Sequence, residues 1–140
     1  MKVFVIDNTE QLAEFSLTTG ADVVYFADEI QALNAAEQLQ PAFIFLNYAV
    51  LGQQTPDYIR LLLDVTKAAK LVVIGNSTCE DEVLRCLVTG ANGYQDKQQL
   101  PQYLSKLIRV VAQGEAWVSR KMVTRVLDTL RQLNMQTMTA

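Results

Sequence analysis

Four short stretches of this chain carry side chains able to do chemistry: Asp7-Asn8, Asn47, Gly75-Asn76 and Lys97. The first three follow or close apolar, β-branched runs, and Lys97 follows shortly after a fourth such segment. In an open α/β sheet, functional groups gather at the carboxyl ends of the strands. Asn47 is the most informative of them. It ends the run Phe43-Ile44-Phe45-Leu46, which reads as a buried central strand. A carboxylate in that place could take a phosphoryl group or hold a metal ion. The carboxamide of Asn47 has no anionic oxygen for either task.

Composition removes several kinds of chemistry. The chain has no histidine, so Ser/His and Cys/His catalysis, histidine metal sites and histidine pH switching are all excluded. There is no G-x-x-x-x-G-K phosphate loop and no serine in a nucleophile elbow, so an enzyme is not expected. A net charge of −3 makes the domain a poor holder of nucleic acid by charge alone. No apolar run approaches the ~18 residues of a membrane span. The start, Met1-Lys2-Val3, enters a strand directly and shows no signal peptide, so a cytoplasmic protein is expected. Cys79 and Cys86, seven apart on one expected helix, lie ~10 Å apart and are too distant to form a disulfide there.

The elements that position these residues follow from hydrophobic periodicity. Strands are expected at residues 2–6, 22–26, 43–47, 71–74 and 91–95. Between them run helices. Asn8 or Thr9 caps the first, which turns Leu12, Phe15 and Leu17 inward and stops at Gly20. Asp28 caps the second, with Ile30, Leu33, Ala36 and Leu39 on its inner face. Pro56 opens the third, and Ile59, Leu62, Leu63 and Thr66 continue it. Ser77 and Glu80 have capping-box spacing at the head of the fourth, which buries Val83, Leu84, Leu87 and Val88. Leu100, Tyr103, Leu104, Leu107, Ile108 and Val111 mark the fifth. The alternation implies an α/β, flavodoxin-like (βα)5 doubly wound parallel sheet of order 2-1-3-4-5. A C-terminal sixth helix is expected from about 119 to 133, striped by Met122, Val123, Val126, Leu127, Leu130 and Leu133. Residues 134–140 read as a linker.

The run Gly90-Ala91-Asn92-Gly93-Tyr94-Gln95-Asp96-Lys97 resembles the Gly-Ala-x-Gly-Tyr-x-x-Lys run of bacterial response-regulator receiver domains. Residues 113–119 are similar to the end of the receiver in the LuxR/NarL subfamily. The resemblance spans residues 1–118, leaving 119–140 as helix and linker, and implies a DNA-binding domain beyond residue 140. It places an acid pair at Asp7 and Asn8, the phosphate-accepting aspartate at Asn47, a hydroxyl residue at Gly75, a switch aromatic at Tyr94 and an invariant lysine at Lys97. Asp7, Tyr94 and Lys97 match; Asn8, Asn47 and Gly75 depart. The family site offers three acids and this one offers Asp7 alone, so no cofactor is expected and Mg2+ would bind weakly if at all. A Lys97–Asp7 ion pair is expected where the metal would otherwise sit.

The resemblance therefore implies a receiver domain of two-component, phosphorelay signal transduction that is atypical and independent of phosphorylation. It would regulate a transcription factor through protein contacts, as a homodimer. Trp117-Val118-Ser119-Arg120 is also similar to a motif of cyclic di-GMP-binding biofilm regulators, which makes Trp117 and Arg120 candidate nucleotide contacts and cyclic di-GMP sensing the alternative function. An ordinary receiver, engineered at Asn8 and Asn47 to block phosphorylation, is a further reading. Gly75 argues against it, because blocking would not require that change.

Overall fold

Five β-branched and aromatic runs pair into one parallel sheet: β1 (Lys2–Ile6), β2 (Asp22–Phe26), β3 (Phe43–Asn47), β4 (Lys70–Gly75) and β5 (Gly93–Asp96). Their spatial order is β2-β1-β3-β4-β5, the flavodoxin-like doubly wound arrangement expected from the sequence. The computed structural model describes residues 1–10, 12, 22–76 and 78–139. The expected first helix, with Phe15, Leu17 and Gly20, lies outside them, as does the capping residue Ser77. Leu12 is described and buried.

Sheet registry explains which side chains meet. Phe4 pairs with Val24 and Ile44, and Asn47 lies beside Ile74 of β4. Every residue of β3 is buried, as expected of a strand covered on both faces. Alternate residues feed two cores. Phe4, Ile6, Ile44, Leu46 and Val73 face α1 (Glu29–Leu39), α2 (Thr55–Val65) and α3 (Glu80–Thr89). Val3, Val5, Phe43, Phe45 and Ile74 face α4 (Leu100–Ala112) through Leu100, Leu104, Leu107 and Val111.

Three expectations are corrected. The inner face of α1 keeps the expected Ala36 and Leu33 and adds Ala32, whereas Ile30 and Leu39 are exposed at 65% and 48%. Small alanines let this helix lie close on the sheet, and the Tyr58 hydroxyl braces its first turn by donating to Glu29 O at 2.6 Å. Second, α3 begins at Glu80 with Cys79 at its N-cap, so Glu80 holds the first helical position and not the third of a capping box. Cys86 is buried in the core and Cys79 is exposed; both are free thiols. Third, α5 (Arg120–Thr139) runs through the segment expected to be a linker. Ser119 Oγ accepts from Met122 N–H at 3.1 Å and caps its start.

Residue 117 extends the sheet beyond β5. Tyr94 N–H donates to Trp117 O at 3.1 Å, and Trp117 N–H donates to Asn92 O at 2.9 Å. A Cβ on Gly93 would sit 2.7 Å from both Cβ and O of Trp117, so only glycine allows this approach.

Replacing Ala36 by Leu should overpack the α1–sheet contact and cost about 1–3 kcal/mol. Leu39→Ala should change stability by less than about 0.5 kcal/mol. Urea unfolding of the two variants checks the assignment of the helix face, and equal losses would contradict it.

Candidate functional site

The carboxyl edge of the sheet is organised by Asp7. Its Oδ1 accepts from Thr9 N–H at 3.0 Å, Thr9 Oγ1 at 2.6 Å and Asn47 Nδ2 at 2.9 Å. Its Oδ2 accepts from Leu12 N–H at 3.0 Å. Three of these donors gather on Oδ1 and one reaches Oδ2, so both oxygens are engaged. Burial raises the carboxyl's pKa, but the Thr9, Asn47 and Leu12 donors together outweigh it and hold Asp7 below its ordinary value. The neighbouring Asn8 is exposed.

Asn47 is locked at both ends. While Nδ2 donates to Asp7 and, at 3.3 Å, to Thr9 Oγ1, Oδ1 accepts from Ala49 N–H at 3.0 Å. The amide is 4% exposed, and its orientation follows from its neighbours: a donor must face the carboxylate and an acceptor must face the backbone N–H. The loop it opens continues to Tyr48, whose hydroxyl donates to Glu82 Oε2 of α3 at 2.8 Å. Burial, followed by Glu82, pushes the Tyr48 phenol up to about 12.

The expected Lys97–Asp7 ion pair is not formed. Among the described residues Lys97 makes no ion pair; it lines a cleft of about 320 Å³ with Thr9, Asn47, Gly75, Asn76, Cys79 and Glu82. Asp7 is met instead by neutral donors, three on Oδ1 from Thr9 and Asn47 and one on Oδ2 from Leu12. A hard cation would have to displace those same donors. Among the described residues no three acid or cysteine side chains group together to hold a metal.

Gly75 and Tyr94 interlock. A Cβ at Gly75 would overlap Thr78 Oγ1 and lie 2.5 Å from the Tyr94 hydroxyl and 2.8 Å from its Cε2. The phenol thus fills the space that a side chain at position 75 would occupy. Its hydroxyl donates to Asp96 Oδ1 at 2.8 Å and accepts from Thr78 N–H at 3.2 Å. Burial, more than any other influence, lifts its pKa above the ordinary value.

Tyr94 also borders a larger cleft of about 710 Å³, between α3, α4 and the start of α5, with Glu80, Asp96, Tyr103, Trp117 and Met122. Trp117 Nε1 donates to Gln95 Oε1 at 2.9 Å, and its ring meets Tyr103 at a centroid distance of 6.2 Å. Arg120 stands exposed at the first position of α5. Beside it, Lys121 and Arg125 reach Glu80 at 3.1 and 3.4 Å, and Arg125 reaches Asp81 at 2.6 Å. These pairs hold α5 against the head of α3, and Lys121 first, with Arg125, holds the Glu80 carboxyl below its usual value.

This fold has known counterparts. A LuxR-family two-component response regulator from Aurantimonas sp. SI85-9A1 superposes with a TM-score of 0.74 at 18% identity, covering 91% of this chain and 96% of that one. The signal receiver domain of the NarL response regulator from Mycobacterium tuberculosis gives 0.70 at 20% identity, covering 81% and 97%. The fold is that of a response-regulator receiver domain. In sequence, the chain is 29% identical over 101 residues to the nitrate/nitrite response regulator NarL of Escherichia coli (strain K12), an alignment covering 72% of this chain and 47% of that protein. The receiver-like chain thus spans about half the length of the curated relatives it matches. No family model matches.

Sequence reasoning brought together Asp7, Asn47, Gly75 and Lys97, and the structure places all four at the same sheet edge. It read Thr9 only as a helix cap and missed Thr78, Glu82 and Asp96. Thr9 had a readable signal: an aspartate followed two residues later by a hydrogen-bonding threonine is an Asx-turn pattern. Thr78 and Glu82 act through long-range packing, which no local pattern encodes.

Asp7→Ala should cost about 1–3 kcal/mol by stranding its donors. Because the folded pKa of Asp7 is depressed, its stabilisation is present at neutral pH and is lost as pH falls below ~3.9 through the folded value. Asn47→Asp has the opposite sign. A second carboxylate beside Asp7 raises one pKa of the pair, so the penalty is small in acid and grows as pH rises to neutrality. Urea midpoints at several pH values check both; an Asn47→Asp penalty independent of pH would contradict the Asp7 contact. Gly75→Ser should expel the Tyr94 ring, costing about 1–3 kcal/mol, and should alter the fluorescence of Trp117, the chain's one tryptophan.

Proposed function

We propose that this chain is the receiver domain of a NarL/LuxR-type transcription regulator and acts in signal transduction without accepting a phosphoryl group. The observation that carries this reading is the Asn47 amide, held between the Asp7 carboxylate and Ala49 N–H at the position where the family places its acceptor. An amide in that position forms no acyl phosphate. Gly75 brings no hydroxyl to hold a phosphoryl oxygen, and Tyr94 already fills the space beside it. Three departures in one site favour a degenerate receiver over an ordinary one with a blocked acceptor.

On this reading the domain is non-catalytic, needs no resident Mg2+, and works through protein contacts, with dimerisation as its output. DNA binding would belong to a separate domain beyond residue 140, in keeping with the length of the NarL relative, and not to this one. A cytoplasmic site of action follows from the same role, and no described helix is long and apolar enough to cross a membrane. Cyclic di-GMP sensing through Trp117 and Arg120 is the weaker reading. The Trp117 indole is committed to Gln95 and packs near Tyr103, and the cleft beside it is bordered by the carboxylates of Glu80 and Asp96. Such a lining does not suit a dianionic nucleotide.

Incubation with a small-molecule phosphodonor and Mg2+ should leave the intact mass unchanged, both in the native chain and in Asn47→Asp. A phosphoryl adduct on the native chain would sink the proposal. Saturable stabilisation by a phosphate mimic with Mg2+ would restore the ordinary-switch reading.

A further inference from the structure

The cleft of about 710 Å³ between α3, α4 and the start of α5 falls in the size range of small-molecule sites, ~300–1,000 Å³. Its walls are aromatic. Tyr94, Tyr103 and Trp117 line it, each only partly buried, and Val83, Val110 and Met122 supply aliphatic surface. The walls are set in advance. The Trp117 backbone is bonded to Asn92 and Tyr94, and its indole N–H donates to Gln95 Oε1 at 2.9 Å. The Tyr94 hydroxyl is held between Asp96 Oδ1 and Thr78 N–H. Tyr103 and Trp117 stand at 54° with ring centroids 6.2 Å apart, so they form a corner and not a closed stack. Faces fixed in this way lose little freedom when another ring settles against them.

The geometry points to a flat aromatic small molecule as the occupant of this cleft, neutral or cationic and carrying N–H or O–H donors. The ring faces offer stacking to a flat ligand and also favour a positive group. The polar lining is rich in acceptors, with carboxylates from Glu80 and Asp96. Among the described residues no lysine or arginine lines the cleft. Lys121 and Arg125 reach Glu80 without lining it, and their charges are matched by Glu80 and Asp81. Glu80 therefore contributes an acceptor more than a net charge, and Asp96 sets the sign of the wall. An anionic ligand would be desolvated against carboxylates with no lining cation to offset the cost. A ring bearing donors would meet acceptors that it can satisfy. Seated here, it would lie against Tyr94, which fills the space at Gly75, and against Ser119 and Met122 at the start of α5. One ligand would thus press on the sheet edge and on the C-terminal helix together.

The chain's one tryptophan gives a single indole N–H peak in a proton–nitrogen correlation spectrum, and that indole lines the cleft. Three probes share one ring and differ in charge at neutral pH: tryptamine is cationic, tryptophol neutral and indole-3-acetate anionic. Added to the 140-residue chain, tryptamine and tryptophol should move the Trp117 peak saturably. Indole-3-acetate should bind about tenfold more weakly or not at all. Tyr103→Ala should weaken tryptamine binding about tenfold by removing one wall. Asp96→Asn keeps an acceptor for the Tyr94 hydroxyl and removes the charge, so it should narrow the preference for tryptamine over indole-3-acetate. A merely structural role for Asp96 would weaken all three probes alike and would overturn its part in the site. A Trp117 peak unmoved by every probe at about 10 mM overturns the site itself. Equal affinities for the three probes overturn the ligand class, and tryptamine binding unchanged by Tyr103→Ala overturns the location. Binding here involves no phosphoryl chemistry, so its failure and that of the functional reading, decided by the phosphodonor mass measurement, are separate results.

Discussion

A single carboxylate, engaged at both oxygens by neutral donors, governs the carboxyl edge of this sheet. A partly buried anion must be compensated by a cation, a metal or hydrogen bonds. Asp7 is compensated by hydrogen bonds from Thr9, Leu12 and Asn47. This has two consequences for its surroundings. Lys97 is left facing the cleft, and the Asn47 amide is fixed in one orientation, which in turn fixes the loop through Ala49 and Tyr48 to Glu82 on α3. At the carboxyl edge Asp7, Thr9 and Asn47 bond to one another.

Two glycines carry this arrangement across the sheet. At Gly75 the missing side chain admits the Tyr94 phenol, and at Gly93 it admits the Trp117 backbone. Tyr94 therefore touches the site on one side and the cleft beneath α5 on the other, bridged by Thr78 and Asp96. The route from the sheet edge to the C-terminal helix is a run of packed aromatics and short hydrogen bonds.

Much of the fold was legible because buried strands declare themselves. β1 and β3 are continuous apolar runs, and Pro56 and Asp28 mark helix starts through local chemistry that survives folding. The errors arose where tertiary packing overrides periodicity. Ala36 and Leu33 face inward as their spacing implies, yet the close approach of α1 to the sheet takes Ala32 and leaves Ile30 and Leu39 exposed. Lys97 and Asp7 look like partners by charge, but four nearby donors satisfy the carboxylate first. The polar composition of residues 134–139 reads as linker, while the helix begun at Arg120 carries on through them. That Gly75 and Gly93 make room for Tyr94 and Trp117 is a matter of long-range packing, which no local pattern encodes.

The backbone bridge from Trp117 to β5 also bears on solubility. An open sheet ends in strands whose outer N–H and C=O groups invite pairing with another chain. At the start of β5 that invitation is withdrawn, because Tyr94 N–H and Asn92 O are already bonded to residue 117. The segment between α4 and α5 is thus more than a connection: it is a cover for a raw edge. A chain truncated before Trp117 would retain most of its core yet present β5 as a template for aggregation.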